Sequence, residues 1–139
     1  MSTCPNFDHL LVLPHLHVQN ANAVSSPLTH GFPSMTAFLG LMWALERKAR
    51  AAGLDLAFKA VGAIAHGHQE LVTDGGFVKA FRLTRNPIDK DGSTAAIVEE
   101  GRMHMEITLI FGVSGGFVEL DEAAHGEIAK TVAHELSVV

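Results

Sequence analysis

Apolar and polar residues alternate most regularly in the last third of the chain. Alternate residues from Met103 to Phe111 are apolar, whereas the alternate residues from Arg102 to Thr108 are polar. Because successive side chains of a strand point to opposite faces of a sheet, this pattern predicts a strand with one buried and one solvated face.

Similar patterns predict the other elements. Strands are expected at residues 9–18, 56–65 and 77–84, and helices at residues 34–52 and from Asp121 onwards. Pro14 has no N–H for a sheet ladder, so the first strand should be bulged or lie at a sheet edge there. Gly53 stands where a glycine often ends a helix. The order strand, helix, strand, strand, strand, helix favours an α+β fold of the ferredoxin-like (RRM-like) split βαβ type, with the helices on one sheet face.

Composition indicates a folded protein. The chain has 139 residues, of which 47% are hydrophobic, so we expect one domain spanning residues 1–139 rather than a disordered segment. No apolar run is long enough to span a bilayer, and the start lacks the features of a secretory signal. Cys4 is the only cysteine, which excludes an internal disulfide. These features predict a cytoplasmic protein.

The charge is distributed unevenly. The net charge is −5, which argues against general nucleic-acid binding through the field of the whole molecule. Residues 106–139 account for that charge, whereas the first 105 residues contain nine acidic and nine basic residues. Any nucleic acid should therefore bind locally, at a middle segment that contains Lys79, Arg82, Arg85, Asn86, Lys90 and Arg102. The alternative is an ordinary solvated charged loop.

A cluster of amide side chains follows the first predicted strand. Gln19, Asn20 and Asn22 each offer hydrogen-bond donors and acceptors, which suit bases and backbone carbonyls better than charge-transfer chemistry. His15 and His17 precede them on one face of that strand. The cluster therefore predicts a recognition surface.

The histidines also allow chemical alternatives. The His-x-His pairs at residues 15–17 and 66–68 could together supply four nitrogens to a transition metal, but the sequence lacks a convincing carboxylate partner near either pair. Hydrogen-bonding or stacking imidazoles are the simpler interpretation. His104 and Glu106 share a strand face and could form an acid/base pair, although such neighbours are common. No nucleophile or phosphate-loop motif is present, so we expect no catalytic site and no cofactor.

Several segments, in order and with similar spacing, resemble one known family. They are LPHLHVQNANA at 13–23, PLTHGFPS at 27–34, the helix at 36–48, LTRNP at 83–87, KDG at 90–92 and VEEGRMH at 98–104. The family is the second Csy subunit of type I-F CRISPR surveillance complexes, a Cas-five-type protein. The resemblance covers about residues 9–116.

The resemblance implies a non-catalytic, RNA-binding subunit with a ferredoxin-like core. Members bind the 5′ handle of the CRISPR RNA, pair with the large Csy subunit and abut the first backbone subunit. Matching positions place handle contacts on Gln19, Asn20 and Asn22 and on the segment from Arg85 and Asn86 to Arg102. The chemistry agrees, because amides recognise base edges and guanidinium groups hold phosphates or stack on bases.

Two departures from the family leave alternatives open. Basic side chains usually stand where this chain has His15 and His17, and members are typically more than twice as long. One hypothesis is therefore a small working module of the complex. A second is a truncated mimic that acts as an anti-CRISPR inhibitor by blocking assembly of the Csy complex, and a third is a metal-dependent protein built on the His-x-His pairs.

Overall fold

The fold is described from a computed structural model of the chain. The structure describes residues 3, 5–26, 28–81, 90–93, 101–115 and 122–137. In chain order, the helices and strands are β1 His9–Asn22, β2 Val24–Ser26, β3 Thr29–His30, α1 Met35–Ala51, β4 Leu56–Glu70, β5 Val72–Asp74, β6 Lys79–Phe81, β7 Arg102–Gly115 and α2 Glu122–Ser137.

Three long strands form the main sheet, in the order β1-β7-β4. The N–H of Asp8 donates to Val113 O, and the N–H of His15 donates to Thr108 Oγ1, so β1 runs antiparallel to β7. With α1 between β1 and β4, and α2 after β7, the order confirms the predicted α+β, ferredoxin-like split βαβ class. β1 lies at a sheet edge, as Pro14 predicted.

Two antiparallel hairpins accompany the sheet. β2 pairs with β3, and β5 pairs with β6 over Val72↔Phe81 to Asp74↔Lys79. The third strand was predicted at residues 77–84, but the described part of that strand is only Lys79–Phe81, and Phe77 and Val78 are exposed before it. Asp74, the last residue of β5, pairs with Lys79, so the described pairing begins at Lys79 rather than at Phe77.

The observed bounds of the first two long strands also differ from the predicted ones. β1 continues through the amide cluster to Asn22, and β4 continues to Glu70 rather than ending near Ala65. The pair His66 and His68, which follows the predicted strand 56–65, therefore lies on a strand. Sequence periodicity placed the strands correctly but ended them where the apolar alternation ends, whereas backbone pairing continued them into polar segments.

The chain divides into two compact units. Unit 1 comprises Met1–Leu16, Met35–His66 and Ile107–Val139, and unit 2 comprises His17–Ser34 and Gly67–Glu106. Unit 1 contains both helices and most of the buried apolar side chains. Phe111 is fully buried there and packs edge-on against Phe58, with ring centroids 5.2 Å apart. Such burial of large side chains is the main source of stability.

Helix α1 has residues typical of helix caps at both of its ends. Ser34 precedes its first residue, as expected for an N-cap. At the other end Gly53 has φ +87°, its N–H donates to Arg50 O, and the N–H of Leu54 donates to Ala49 O. These bonds form a Schellman motif, which confirms the predicted glycine C-cap. Glu46 Oε2 accepts the N–H of Phe58 at 2.9 Å and so joins the helix to β4.

In the described part of unit 2, the buried apolar side chains are Ala23, Met103 and Met105. Gly101 is essential to its packing, because a Cβ there would lie 2.8 Å from Val24 Cγ2 and 3.0 Å from Phe81 Cε1. The N–H of Ala23 donates to Gly101 O, which brings β1 close to this glycine. Within the described residues, neither α1 nor α2 has the length and hydropathy of a membrane-spanning helix.

Candidate nucleic-acid interface

Two residues of β1 have left-handed backbone conformations, His15 with φ 51° and Asn20 with φ 55°. The alternation of buried and exposed residues along the strand is interrupted at both places. A positive φ with a broken alternation is typical of a β-bulge, which confirms the bulge expected beside Pro14. Asn and His are among the non-glycine residues that adopt this conformation most often.

Both backbone polar groups of Asn20 are hydrogen-bonded at the bulge. Its N–H donates to His104 Nδ1 at 3.2 Å, and its carbonyl oxygen accepts a hydrogen bond from Arg102 Nη1 at 3.2 Å. Because Nδ1 acts as the acceptor, a neutral His104 ring has its proton on Nε2. Arg102 and Asn20, both predicted site residues, are thus in direct contact, and part of the role of Arg102 is to position Asn20.

The amide row, defined as Gln19, Asn20 and Asn22, is exposed in unit 2. Asn22 Oδ1 accepts the N–H of Val24 at 2.9 Å, which forms a local turn at the end of β1. Its acceptor is therefore used within the protein, and its Nδ2 group is the part available to a ligand. Strand β1 places the amide row on the surface, and the hydrogen bonds at Asn20 hold its backbone there.

His15 belongs to unit 1 and stacks on His66, with ring centroids 4.5 Å apart and an angle of 22° between the planes. Thr108 Oγ1 accepts the N–H of His15 at 3.2 Å and lies 2.7 Å from His66 Nε2. At each bulge of β1 the backbone N–H therefore donates to a polar side chain of β7, buried Thr108 at the first and half-buried His104 at the second. The sequence indicated the first bulge through Pro14, but it gave no sign of these partners.

The metal hypothesis gains no support from the described residues. Among them, no group of three or more His, Cys, Asp or Glu side chains is arranged to hold a metal ion. The two His-x-His pairs are divided between the units, because His15 and His66 belong to unit 1, whereas His17 and His68 belong to unit 2.

The basic segment is only partly described. Lys90 is exposed in a turn, where Asp91 Oδ1 accepts hydrogen bonds from Ser93 Oγ at 2.7 Å and from the Ser93 N–H at 3.0 Å. These bonds lower the pKa of Asp91 because they stabilise the ionised carboxylate. The negative charge of Asp91 therefore stays next to Lys90 in the chain. Arg82, Arg85 and Asn86, the other predicted contacts, lie outside the described residues.

An open groove of about 320 Å³ lies beside the amide row in unit 2. Its lining residues are His17, Val18, Gln19, Gly67, His68, Gln69, His104, Met105 and Glu106. His17 and Gln19 were predicted for this surface. His104 and Glu106 were predicted only as a possible acid/base pair. The solvated face of the alternating strand β7 was the feature that could have identified them. Gln69 had no such indication, because β4 was expected to end before it.

Comparison with known proteins agrees with the resemblance seen in the sequence. Residues 11–138 match the family model described as CRISPR-associated protein (Cas_Csy2). The chain is 48% identical over 128 residues to CRISPR-associated protein Csy2 of Pseudomonas aeruginosa (strain UCBPP-PA14). This match covers 91% of the chain but 38% of the relative. The chain belongs to the Csy2 family of CRISPR-associated proteins.

Proposed function

We propose that this chain is a non-catalytic module of the type I-F CRISPR (Csy) system that binds the 5′ handle of the CRISPR RNA. The observation that supports this most is that a member of the Csy2 family exposes its amide row on a bulge held by His104 and Arg102. A preformed arrangement of donors and acceptors suits single-stranded RNA, whose unstacked bases expose their hydrogen-bonding edges.

The proposed contacts divide by chemistry. Gln19, Asn20 and Asn22 form hydrogen bonds with base edges, and Arg102 adds a permanent positive charge beside them. Arg82, Arg85, Asn86 and Lys90 supply the remaining backbone contacts, and His15 and His17 stack or form hydrogen bonds. A local cationic segment of this kind allows RNA binding in a chain whose net charge is −5.

Unit 1 provides a surface for a protein partner. Met35, Leu39 and Trp43 are spaced four residues apart on α1 and are 51%, 49% and 70% exposed. Side chains at this spacing form one helical stripe, and exposed Trp is enriched at interface hot spots. We assign this stripe to the large Csy subunit or the first backbone subunit, with assembly in the cytoplasm.

RNA binding is tested by fluorescence anisotropy with a labelled handle RNA at several salt concentrations. Replacing Arg85→Ala together with Arg102→Ala should lower the affinity several-fold and flatten the salt dependence, because each lost phosphate contact reduces the number of counterions released. The matched control is Arg47→Ala with Lys59→Ala, which removes two exposed cations from unit 1. Equal affinity for the wild-type chain and the Arg85/Arg102 variant would exclude the assigned interface.

A second candidate function is inhibition of the Csy complex by a Cas-protein mimic. It rests on the exposed stripe of α1, because a surface of this kind can bind a subunit of the complex without completing the assembly. A docking surface depends on a few local residues, whereas complete assembly requires every interface. Adding the chain while a type I-F complex assembles should then lower the yield of intact complex, and Trp43→Ala should restore it. A yield that is the same with and without the chain would argue against inhibition.

A further inference from the structure

The two bulges of β1 are stabilised by acceptors of different chemistry. At the first, the N–H of His15 donates to the hydroxyl oxygen of Thr108, and at the second the N–H of Asn20 donates to Nδ1 of His104. A hydroxyl oxygen has two lone pairs and remains an acceptor throughout the pH range around neutrality. An imidazole nitrogen accepts only while it has no proton, so the bond at the second bulge depends on the protonation state of a ring.

Protonation of His104 removes the acceptor that the Asn20 N–H uses. In a neutral imidazole one nitrogen donates and the other accepts, whereas both nitrogens of an imidazolium ion are donors. Two N–H groups would then face each other across the 3.2 Å that separates Asn20 N from His104 Nδ1. A rotation of the ring by 180° would not restore the bond, because an imidazolium ion has no acceptor nitrogen.

Titratable or charged side chains from three strands lie near the ring or line its groove. Among the described residues they are Arg102 and Glu106 on β7, His17 on β1 and His68 on β4. A carboxylate favours a protonated ring, whereas a guanidinium group and a protonated neighbouring imidazole oppose it. These charges influence the pH at which the ring titrates, but they do not replace the acceptor that Asn20 loses.

The conformation of Asn20 depends on the contacts around it. Its φ of 55° lies in the left-handed region, which is less favourable than the extended region for a residue with a Cβ. Such a backbone conformation persists where the surrounding structure holds it. Of the two hydrogen bonds at this peptide group, protonation of His104 would leave the one from Arg102 Nη1 to the carbonyl oxygen.

We propose that His104 is a positioning residue that holds the Asn20 bulge while its ring is neutral and releases it when the ring is protonated. Imidazole is the side chain that ordinarily changes charge between about pH 5 and 8, and the open groove gives protons access to this half-buried ring. The backbone of the amide row is therefore fixed at Asn20 above this range and looser below it. This change takes place in the free chain and requires no RNA, so it goes beyond the proposed function.

The test is amide hydrogen exchange at Asn20, measured by NMR on the full chain labelled with ¹⁵N and corrected for the intrinsic effect of pH. The protection of this amide should fall about fivefold between pH 8 and pH 5, as expected for the loss of one hydrogen bond of ordinary strength. The fall should have the same midpoint as the ¹⁵N signal of His104 Nδ1, which is followed in the same samples.

Three kinds of variant separate the acceptor from the other groups of the groove. His104→Asn is the matched control, because its Oδ1 can accept a hydrogen bond close to the former position of Nδ1 and does not titrate. It should keep the protection of Asn20 at both pH values, whereas His104→Ala should have low protection at both. His17→Gln and His68→Gln each remove another imidazole of the groove and should leave the fall with pH unchanged.

Equal protection of the wild-type Asn20 amide at pH 8 and pH 5 would overturn the proposal, and this measurement needs no variant to fold. The same fall with pH in His104→Asn as in the wild type would also overturn it, because another group would then be the cause. Handle RNA is absent from these samples, so failure here is distinguishable from failure of the proposed function in the anisotropy assay.

Discussion

The two units of this protein differ in what their residues do. Unit 1 contains α1, α2 and the large buried side chains, including Phe111, Leu45 and Val132. The described part of unit 2 has fewer buried apolar residues than unit 1, and it contains the amide row and the polar groove. Stability in a protein is distributed unevenly, and binding segments are commonly drawn from its less stable parts.

A glycine allows close packing in each unit. In unit 1 a Cβ on Gly112 would lie 2.6 Å from Phe7 Cδ1, so this glycine allows an aromatic ring to cover the end of β7. In unit 2 Gly101 allows two side chains to approach the strand before β7 begins. Close approach at a glycine therefore supports the packing of both units.

The largest expected effect is on the core of unit 1. Phe111→Ala should lower the free energy of unfolding by about 3–5 kcal/mol, because it removes a buried ring and leaves a cavity. Met103→Ala in unit 2 should cost less, because the described part of unit 2 contains fewer large buried side chains than unit 1. Urea denaturation measures both. An effect of Met103→Ala as large as that of Phe111→Ala would remove the distinction between the units.

A smaller effect is expected from adding single methyl groups. Gly112→Ala should destabilise the protein by about 1–3 kcal/mol, because the Phe7 ring must move. Gly101→Ala should have a similar cost through Val24 and Phe81. Gly126→Ala is the control, since nothing lies within 4 Å of its added Cβ, and it should stabilise α2 by about 1 kcal/mol. Thermal unfolding of the three variants shows whether the loss of stability comes from crowding of the added Cβ or from replacing a glycine at any position.

The bulge at Asn20 provides a test that separates geometry from chemistry. Asn20→Val should destabilise the protein by about 1–2 kcal/mol, because a β-branched residue does not tolerate a positive φ. Asn20→Gly keeps the bulge but removes the amide, so stability should change little while handle RNA affinity falls. Equal RNA affinity of Asn20→Gly and the wild type would mean that this amide makes no contact.

The smallest effect concerns a surface ion pair in unit 1. Lys130 Nζ lies 2.7 Å from Glu127 Oε1, and this hydrogen bond raises the pKa of Lys130. A raised folded pKa stabilises the protein below the unfolded pKa, and this contribution disappears as the pH rises through the folded pKa. Glu127→Gln should bring the pKa of Lys130 back towards its ordinary value, as followed by NMR of its side chain. An unchanged titration would show that the pair does not persist in solution.

The sequence by itself determined much of the architecture and the location of the candidate site. Periodicity identified the long strands and both helices, Pro14 indicated the bulged edge strand, and Gly53 indicated the end of α1. These features are local, because each depends on side-chain spacing or on the backbone preference of one residue. The amide row was also evident, since three amide side chains within four residues indicate a polar surface wherever the strand ends.

Tertiary structure decided which residues meet. His104 and Arg102 contact Asn20 across more than 80 residues of sequence, Thr108 serves both His15 and His66, and the polar groove combines residues from β1, β4 and β7. Strand pairing sets these partners, and a shift of one residue in register would turn each side chain to the other face. No local pattern in the chain contains that register, which is why the contacts of His104 and Arg102 with Asn20 could not be predicted, although Arg102 itself was a predicted site residue.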